Sequence, residues 1–200
     1  MKKIFLFFCI GICIFFTGCT SKTKVANTNN NTKNLEKKLK FIDYNSGYSF
    51  GNTKTAKIVM VEYASYECID CRNLQKNIGS LLKTYIKNGS LLYIYKPINH
   101  PKFKNDEKIN MYFAPKSLDD IQNIFNKFDS YSRKPYPILK SVLNLKEVPV
   151  PNYSAMSKEI SRELISGKIT TTPTIYINGK KYEEVFTKKE FQKILNSLLN

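Results

Sequence analysis

Two cysteines separated by two residues are the side chains of this sequence best suited to chemistry. Cys68 and Cys71 enclose the dipeptide Ile69-Asp70 and follow a hydrophobic run over residues 58–63, IVMVEY. The run is typical of a buried strand, and the residues after Cys68 have the spacing of an amphipathic helix. A helix N-terminus offers partial positive charge and free N–H groups that stabilise a thiolate. The pattern predicts a pair that cycles between dithiol and disulfide, in which Cys68 attacks and Cys71 closes the ring.

Two other uses of such a pair remain open. It could supply half of a tetrahedral zinc site, which needs two more ligands. The other cysteines, Cys9, Cys13 and Cys19, all lie in the extreme N-terminal segment, and His100 is the only histidine. Zinc is therefore disfavoured, and we expect neither a metal nor another cofactor. A static structural disulfide is the second alternative, but so small a ring strains the bond, and strained disulfides tend to be reactive.

The N-terminal residues predict export. Lys2 and Lys3 precede an apolar stretch, residues 4–16, that at about 13 residues is too short to span a bilayer. The tripeptide TGC at residues 17–19 follows and resembles the lipobox of bacterial lipoproteins. The resemblance implies cleavage before Cys19 and a lipid on that residue. An ordinary secretory signal is the alternative, and it would export the chain as well.

Export matters for the chemistry of the pair. Outside the cytoplasm disulfides can persist, and with the signal removed and Cys19 acylated, Cys68 and Cys71 are the only free thiols. We expect the protein to lie outside the cytoplasm, anchored by lipid to a bacterial membrane on the periplasmic side or the cell surface.

Composition divides the chain into three parts. Residues 1–18 are the signal peptide, and residues 19–40 form the lipidated cysteine and a flexible tether of Ser, Thr, Lys and Asn. Residues 41–200, about 160 in number, suit one domain.

The net charge of +16 is spread along the chain, and no basic stripe is combined with a motif that reads the groove of a nucleic acid. This distribution argues against nucleic-acid binding. We expect a monomer. An isomerase is disfavoured because the short tether leaves no room for the dimerisation domain that such enzymes usually carry.

Hydrophobic spacing predicts an α/β fold with a mixed sheet. Strands over residues 57–63 and 91–95 flank a helix that ends at Asn88-Gly89. Together they form a βαβ unit, whose strands are parallel and whose crossover is right-handed. Strands over residues 174–177 and 180–185 flank Asn178-Gly179, a strong hairpin signal. A capping box over residues 187–190 begins a last helix. Between these units, at about residues 100–168, we expect a helical insertion with helices beginning near Ser117, Pro137 and Ser154.

This order of elements, with a Thr-Pro pair before the hairpin, resembles the thioredoxin superfamily. More narrowly, it is similar to the DsbA-like branch, which carries such an insert. Residues 61–68, VEYASYEC, and residues 172–179, TPTIYING, are close to that branch's patterns, and the resemblance extends over about residues 41–200. It implies that Pro173 is cis and lies against the sulfurs. The backbone of Thr172 would then face Cys68 and pair with an extended substrate chain.

The resemblance also implies a role for Glu62, six residues before Cys68. Its position matches the buried acid of the branch that is thought to serve proton transfer to the resolving cysteine. An acid in an apolar strand is costly unless it is paired or protonated. We expect Lys96, at the end of the neighbouring strand, as its partner. The alternative is a solvent-facing edge position.

The residues around the pair depart from the family pattern. DsbA-like oxidases often have Pro-His between the cysteines. In this sequence the two residues are Ile69-Asp70, and Glu67 precedes Cys68. Negative charge disfavours a thiolate, and if Asp70 costs about 1.4 kcal/mol, the potential falls by about 30 mV. Arg72 and Lys76 would offset part of this. We expect these residues to tune a centre less oxidising than the strongest oxidases.

These observations predict an exported thiol–disulfide oxidoreductase that acts on protein cysteines, in the oxidase direction. Its partners would be cysteine-containing exported proteins and a membrane redox partner, either a quinone-linked oxidase or an electron donor. The alternatives are a reductase of extracytoplasmic disulfides and a non-catalytic lipoprotein that holds peptides on a thioredoxin fold.

Overall fold

A single mixed sheet organises the chain in a computed structural model that describes residues 30–131 and 134–200. In chain order the elements are α1 (Asn30–Lys38), β1 (Tyr48–Phe50), β2 (Ile58–Ala64), α2 (Ile69–Lys87), β3 (Leu91–Pro97), α3 (Asp106–Tyr112), α4 (Leu118–Tyr131), α5 (Tyr136–Leu143), α6 (Tyr153–Ser166), β4 (Thr174–Ile177), β5 (Lys180–Tyr182) and α7 (Lys188–Leu199). The strand order is β1-β3-β2-β4-β5, so β2 lies at the centre of the sheet. The predicted α/β fold with a helical insertion is confirmed.

The predicted βαβ unit forms the middle of the fold. β2 is buried along its whole length and runs parallel to β3, from the pair Ile58–Leu91 to the pair Ala64–Pro97. α2 buries its apolar face over the sheet and ends at Asn88. Gly89 follows with a φ of +79°, a left-handed conformation that glycine adopts without steric cost. The first turn of α2 is thereby set at the carboxyl end of the central strand.

The C-terminal unit adds an antiparallel hairpin to the other side of β2. β4 pairs with β2 and with β5, and both residues of the Asn178-Gly179 turn have positive φ, as a type I′ turn requires. β5 ends at Tyr182, earlier than the sequence predicts. The predicted capping box is present: the side chains of Thr187 and Glu190 each accept from the other's backbone N–H at the start of α7.

The described residues between β3 and β4 form an insertion of four helices. α4, α5 and α6 lie where the sequence predicts them. α3 was not predicted, because the charged residues 102–108 suggest a solvated segment and the helix has only seven residues. Two of its three buried side chains, those of Asp106 and Asn110, are polar, so hydrophobic periodicity does not reveal it.

Alternation along the strands gives the sheet two packed faces. The first face, which carries Met60 and Tyr93, packs against α2, α3, α4, α5 and α7. The second, which carries Val61 and Ile94, packs against α1 and α6. Since successive strand residues point to opposite faces, Glu62 lies on the first face, whereas its neighbour Tyr63 lies on the second. This separation decides which partners each side chain can reach.

The predicted tether is partly wrong. Residues 30–38 form α1, and Leu35, 9% exposed, packs on the second face of the sheet. Sequence reasoning missed this helix because the segment is rich in Asn and Lys and has almost nothing apolar besides Leu35. The predicted signal peptide, Cys19 and the first part of the tether lie outside the described residues. Among the described helices, none is both long and apolar enough to cross a membrane.

Candidate active site

The site begins where β2 ends and α2 starts. Cys68 is the N-cap of α2 and has extended backbone angles, φ −73° and ψ 122°. Its Sγ accepts the backbone N–H of Cys71 at 3.4 Å, as capping side chains do with the orphan N–H groups of a first helical turn. When it is protonated, the thiol also donates to the carbonyl oxygen of Thr172, 3.3 Å away. Cys68 is only 6% exposed, so access to its sulfur is narrow.

The surroundings of Cys68 favour the thiolate. The Cys71 thiol contributes most, followed by the side chain of Thr172 and the backbone N–H groups of Cys71 and Asp70, while burial opposes them. Together these groups lower the pKa of Cys68 to about 6. At neutral pH most Cys68 is therefore a thiolate, which is both the attacking form and a good leaving group.

Cys71 has the opposite character. Its side chain is fully buried, and burial, the Cys68 side chain and the Cys68 charge raise its pKa well above the ordinary value. Both cysteines are free thiols in this structure. Cys68 is acidic and accessible enough to react, as an attacking sulfur must be. Cys71 is buried and weakly acidic, as is typical of a resolving sulfur.

The Thr172–Pro173 peptide bond is cis, as the family resemblance implies. Pro173 precedes β4, whose first residue, Thr174, pairs with Tyr63 of the central strand. This pairing sets the loop beside the first turn of α2 and aims the carbonyl of Thr172 at Cys68. The two motifs of the sequence thus meet at a single sulfur.

Glu62 lies beneath α2 and is fully buried. One of its carboxylate oxygens accepts from Gln75 Nε2 at 2.8 Å and from the Tyr93 hydroxyl at 2.7 Å. The other has no hydrogen-bond partner. Burial raises the pKa of Glu62 to about 7, against the two hydrogen bonds and with a further rise from the Cys68 charge. The solvent-facing alternative for Glu62 is wrong.

The expected ion pair between Glu62 and Lys96 is also wrong. Lys96 lies opposite Tyr63 in the β2–β3 ladder, so its side chain points to the second face of the sheet. There its Nζ pairs with Glu163 of α6 at 2.8 Å, and both side chains are completely buried. The difference arises because successive residues of a strand point to opposite faces of the sheet.

The residues expected to tune the pair have different environments. Ile69 is 62% exposed beside Cys68, and Asp70 is exposed, so that its backbone N–H, rather than its carboxylate, acts on the Cys68 sulfur. The carboxylate of Glu67 is bound by Asn105, at 2.9 Å from the backbone N–H and 3.0 Å from the side-chain amide.

The two cations expected to offset these acids bind another group. Arg72 Nε lies 3.1 Å from Asp129 of α4, and Lys76 Nζ lies 2.5 Å from the same carboxylate. The Asp129 carboxylate therefore neutralises part of their charge.

Comparison with known proteins identifies the family. The sequence matches the thioredoxin family over residues 45–197. The chain belongs to the thioredoxin family. No curated protein matches it.

Solved structures of similar fold support this thioredoxin assignment. A conserved protein of unknown function from Enterococcus faecalis V583 is 18% identical, with a TM-score of 0.67 over 78% of this chain and 93% of that one. Wolbachia pipientis alpha-DsbA1 is 22% identical, with a TM-score of 0.60 over 78% and 92%. A periplasmic thioredoxin-like protein from Salmonella enterica serovar Typhimurium is 13% identical, with a TM-score of 0.61 over 82% and 95%. This chain therefore shares the fold of these proteins.

Some residues of this thioredoxin-family site were not predicted. Gln75 follows Cys71 by one helical turn, and Tyr93 lies on the strand beside Glu62, so helical and strand periodicity could have found both. Asp106 could not have been found this way, since nothing in the sequence brings α3 to the cysteines. Within residues 30–131 and 134–200, no group of three His, Cys, Asp or Glu side chains could hold a metal ion.

Proposed function

We propose that this protein is a thiol–disulfide oxidoreductase that exchanges disulfides with protein substrates through Cys68 and Cys71. The observation that carries the proposal is the asymmetry of the two sulfurs at the start of α2. Cys68 has a pKa lowered to about 6, whereas that of Cys71 is raised. Membership of the thioredoxin family and the DsbA-like fold support the same class of enzyme.

In the oxidase direction, a substrate thiolate attacks Sγ of Cys68 in the Cys68–Cys71 disulfide. A substrate–Cys68 bond forms, and Cys71 leaves as a thiolate and takes up a proton. A second substrate thiolate then attacks the substrate sulfur, which forms the substrate disulfide and releases Cys68 as a thiolate. The substrate dithiol has lost two electrons and two protons, and the enzyme has gained the two electrons. A membrane quinone-linked partner would return it to the disulfide form.

Glu62 fits the role of proton carrier for Cys71. Its carboxyl is buried on the same face of the sheet as α2, and its pKa of about 7 allows it to hold or release a proton at neutral pH. Gln75 and Tyr93 orient one oxygen, which leaves the other available for a proton. When Cys71 leaves as a thiolate in this apolar site, protonation stabilises it.

The acidity of Cys68 favours the oxidase direction. A stabilised thiolate stabilises the reduced enzyme, which makes the disulfide more oxidising. A pKa of about 6 lies between about 7 for thioredoxin and about 3.5 for DsbA. We therefore expect a potential between about −270 and −120 mV, the values of those two proteins.

Trapping of the mixed disulfide tests the exchange. In a Cys71→Ala variant expressed in an exporting cell, Cys68 cannot be released by its own partner, so adducts with cysteine-containing client proteins should accumulate on non-reducing gels. A Cys68→Ala/Cys71→Ala variant is the matched control and should form none. If the single variant forms no adducts, the protein is not a thiol–disulfide oxidoreductase. That result would favour the alternative of a non-catalytic lipoprotein that holds peptides. A potential near or below about −270 mV in glutathione buffers would instead establish the reductase.

The proposed location is outside the cytoplasm, anchored by a lipid on Cys19. The signal-like N-terminus supports this, and so does the similarity to a periplasmic thioredoxin-like protein. A Cys19→Ser variant should move from the membrane fraction to the soluble exported fraction. If the unsubstituted protein is itself soluble after export, the signal is an ordinary secretory one.

A further inference from the structure

The loop between β2 and α2 is held by polar side chains on both edges of its backbone. Oδ1 of Asp106, the first residue of α3, accepts the N–H groups of Tyr66 and Glu67 at 3.1 and 3.3 Å. The Arg72 guanidinium donates to the carbonyl groups of the same two residues at 3.4 and 2.9 Å. Arg72 is in turn held by Asp129 of α4. Both anchoring acids come from the helical insertion.

The contact between the loop and α3 runs in both directions. While Asp106 accepts from the loop, Glu67 of the loop accepts from the backbone and the side chain of Asn105, at 2.9 and 3.0 Å. Four hydrogen bonds to two carboxylates thus join the loop of residues 65–67 to residues 105–106. Because four hydrogen bonds join the two segments, the start of α3 and the loop should move together.

The same loop contacts both sulfur-bearing residues. The Ser65 hydroxyl accepts the N–H groups of Cys68 and Glu67 at 3.2 and 3.1 Å, and the Ser65 carbonyl accepts the Cys68 N–H at 3.3 Å. The backbone N–H of Ser65 acts on Cys71 and lowers its pKa against the effect of burial. Displacement of the loop would therefore change the N-cap geometry of Cys68 and with it the stabilisation of the thiolate.

Asp106 is a costly residue at this place. It is fully buried, and its Oδ2 has no hydrogen-bond partner. Burial raises the pKa of Asp106 to about 8, and the Glu67 charge adds to the rise. Hydrogen bonds from the Ser65 side chain and from the two loop N–H groups oppose it. A buried carboxyl with an unpaired oxygen reduces stability. A contribution to the site accounts for a buried carboxyl at this place better than stability does.

We infer that Asp106 is a positioning residue for the nucleophile and that the helical insertion sets the reactivity of Cys68 through it. The inference rests on the proposed function only in treating Cys68 as the nucleophile. Asp106 fixes the loop of residues 65–67, the loop fixes the start of α2, and the start of α2 stabilises the Cys68 thiolate.

The pKa of Cys68 in the full-length reduced protein tests this inference, measured as the rate of alkylation by iodoacetamide against pH. Asp106→Ala removes the acceptor of two N–H groups and should raise the pKa of Cys68 from about 6 by about one unit. The alkylation rate at pH 6 would then fall about fivefold, since the thiolate fraction falls from one half to about one tenth. The potential against glutathione should become more negative. Asp106→Asn keeps an acceptor oxygen and should stay within twofold of the unsubstituted protein.

Two further variants keep the test decisive. Asp129→Ala acts through the partly exposed acid that holds Arg72, so it should fold even if Asp106→Ala does not. Measured at high salt, which screens the charges of Arg72 and Lys76 that the substitution frees, it should shift the Cys68 pKa in the same direction. Asp119→Ala is the matched control, because Asp119 is an exposed acid of α4 that pairs with Lys83, and it should change nothing.

An unchanged Cys68 pKa in folded Asp106→Ala, or in Asp129→Ala if the former does not fold, overturns the inference. Equal loss in Asp106→Asn and Asp106→Ala does so as well, because the acceptor oxygen would then be irrelevant. Alkylation needs no client protein, so it is independent of the trapping experiment. Trapped clients with an unchanged Cys68 pKa would defeat this inference alone, whereas a shifted pKa without trapped clients would defeat the proposed function alone.

Discussion

The side-chain amide of Gln75 lies 2.8 Å from the carboxylate of Glu62, one helical turn after Cys71. It joins the central strand to the helix that carries both cysteines, inside the apolar layer between them. The Tyr93 hydroxyl binds the same oxygen at 2.7 Å. A titratable carboxyl is thereby held beneath the resolving cysteine.

Substitution of this carboxyl should change how stability depends on pH. Because burial raises the pKa of Glu62 to about 7 from the ordinary value of 4.5, the folded reduced protein keeps a proton that the unfolded chain loses. The resulting stabilisation is complete below about pH 4.5 and is lost as the pH rises through about 7. Glu62→Gln should abolish this fall, and at pH 8 the variant should be more stable by about 3 kcal/mol, measured by urea unfolding of the reduced protein.

Glu147→Gln provides the control for Glu62→Gln, since Glu147 is a surface acid paired with Lys140, and its pH profile of stability should match that of the unsubstituted protein. Glu62→Gln should also slow reduction of the Cys68–Cys71 disulfide by a dithiol, by about tenfold or more, because Cys71 loses its proton donor. A variant with unaltered pH dependence and an unaltered rate would contradict both roles of Glu62.

The two thiols should differ widely in alkylation. Cys68, with a pKa lowered to about 6 by the Cys71 thiol, Thr172 and two backbone N–H groups, should react with iodoacetamide along a curve with its midpoint near pH 6. Cys71 is buried and its pKa is raised, so it should remain unmodified in the native protein at pH 8. Mass spectrometry of peptides after timed labelling distinguishes the sites. A Cys68 midpoint above pH 8, or equal labelling of both residues, would contradict the proposed division of roles.

Asp70→Asn should have a small effect on the potential. The sequence suggested that the Asp70 carboxylate lowers the potential by about 30 mV, but in the structure this side chain is exposed, where solvent and salt screen its charge. Its backbone N–H, which stabilises the Cys68 thiolate, is unaffected by the substitution. We expect a change well below about 30 mV in glutathione buffers. A rise of that size or more would restore the electrostatic role predicted from the sequence.

The buried Lys96–Glu163 pair should contribute to stability and leave the redox centre unaffected. Lys96 Nζ donates to Glu163, to the Ser46 hydroxyl and to the Asp43 carbonyl. Lys96→Met leaves the Glu163 carboxylate buried without its cation, which should cost about 3–5 kcal/mol in urea unfolding. Adding Glu163→Gln removes the unpaired charge and should recover part of the loss.

Lys83→Met is the surface comparison for this pair. Its partner, Asp119, is exposed, so the loss should be at most about 1 kcal/mol. The potential of Lys96→Met should equal that of the unsubstituted protein, because the pair lies on the sheet face away from α2. A loss equal to that of Lys83→Met, or a shifted potential, would contradict this account.

Elements with strong local signals were predictable from the sequence. The apolar run of β2, the periodicity of α2, the Asn178-Gly179 turn and the capping box of α7 each depend on residues close together in the chain, and each lies in the structure where the sequence indicates. β1, α1 and α3 were missed because they are short or bury mostly polar residues. Such segments are ordered by tertiary contacts, which local patterns do not record.

The sequence by itself determined the reactive pair, its place between a strand and a helix, and, through the family resemblance, the meeting of Cys68 with the Thr172-Pro173 segment. The signal for export stays a prediction. Only the tertiary structure decided the partners of the buried charges: Glu62 with Gln75 and Tyr93, Lys96 with Glu163 at a separation of 67 residues, and the loop N–H of Tyr66 with Asp106 at a separation of 40. Local geometry follows from neighbouring residues, whereas the partner of a buried charge depends on which face of the sheet it occupies and which helix covers that face. Chain topology sets both.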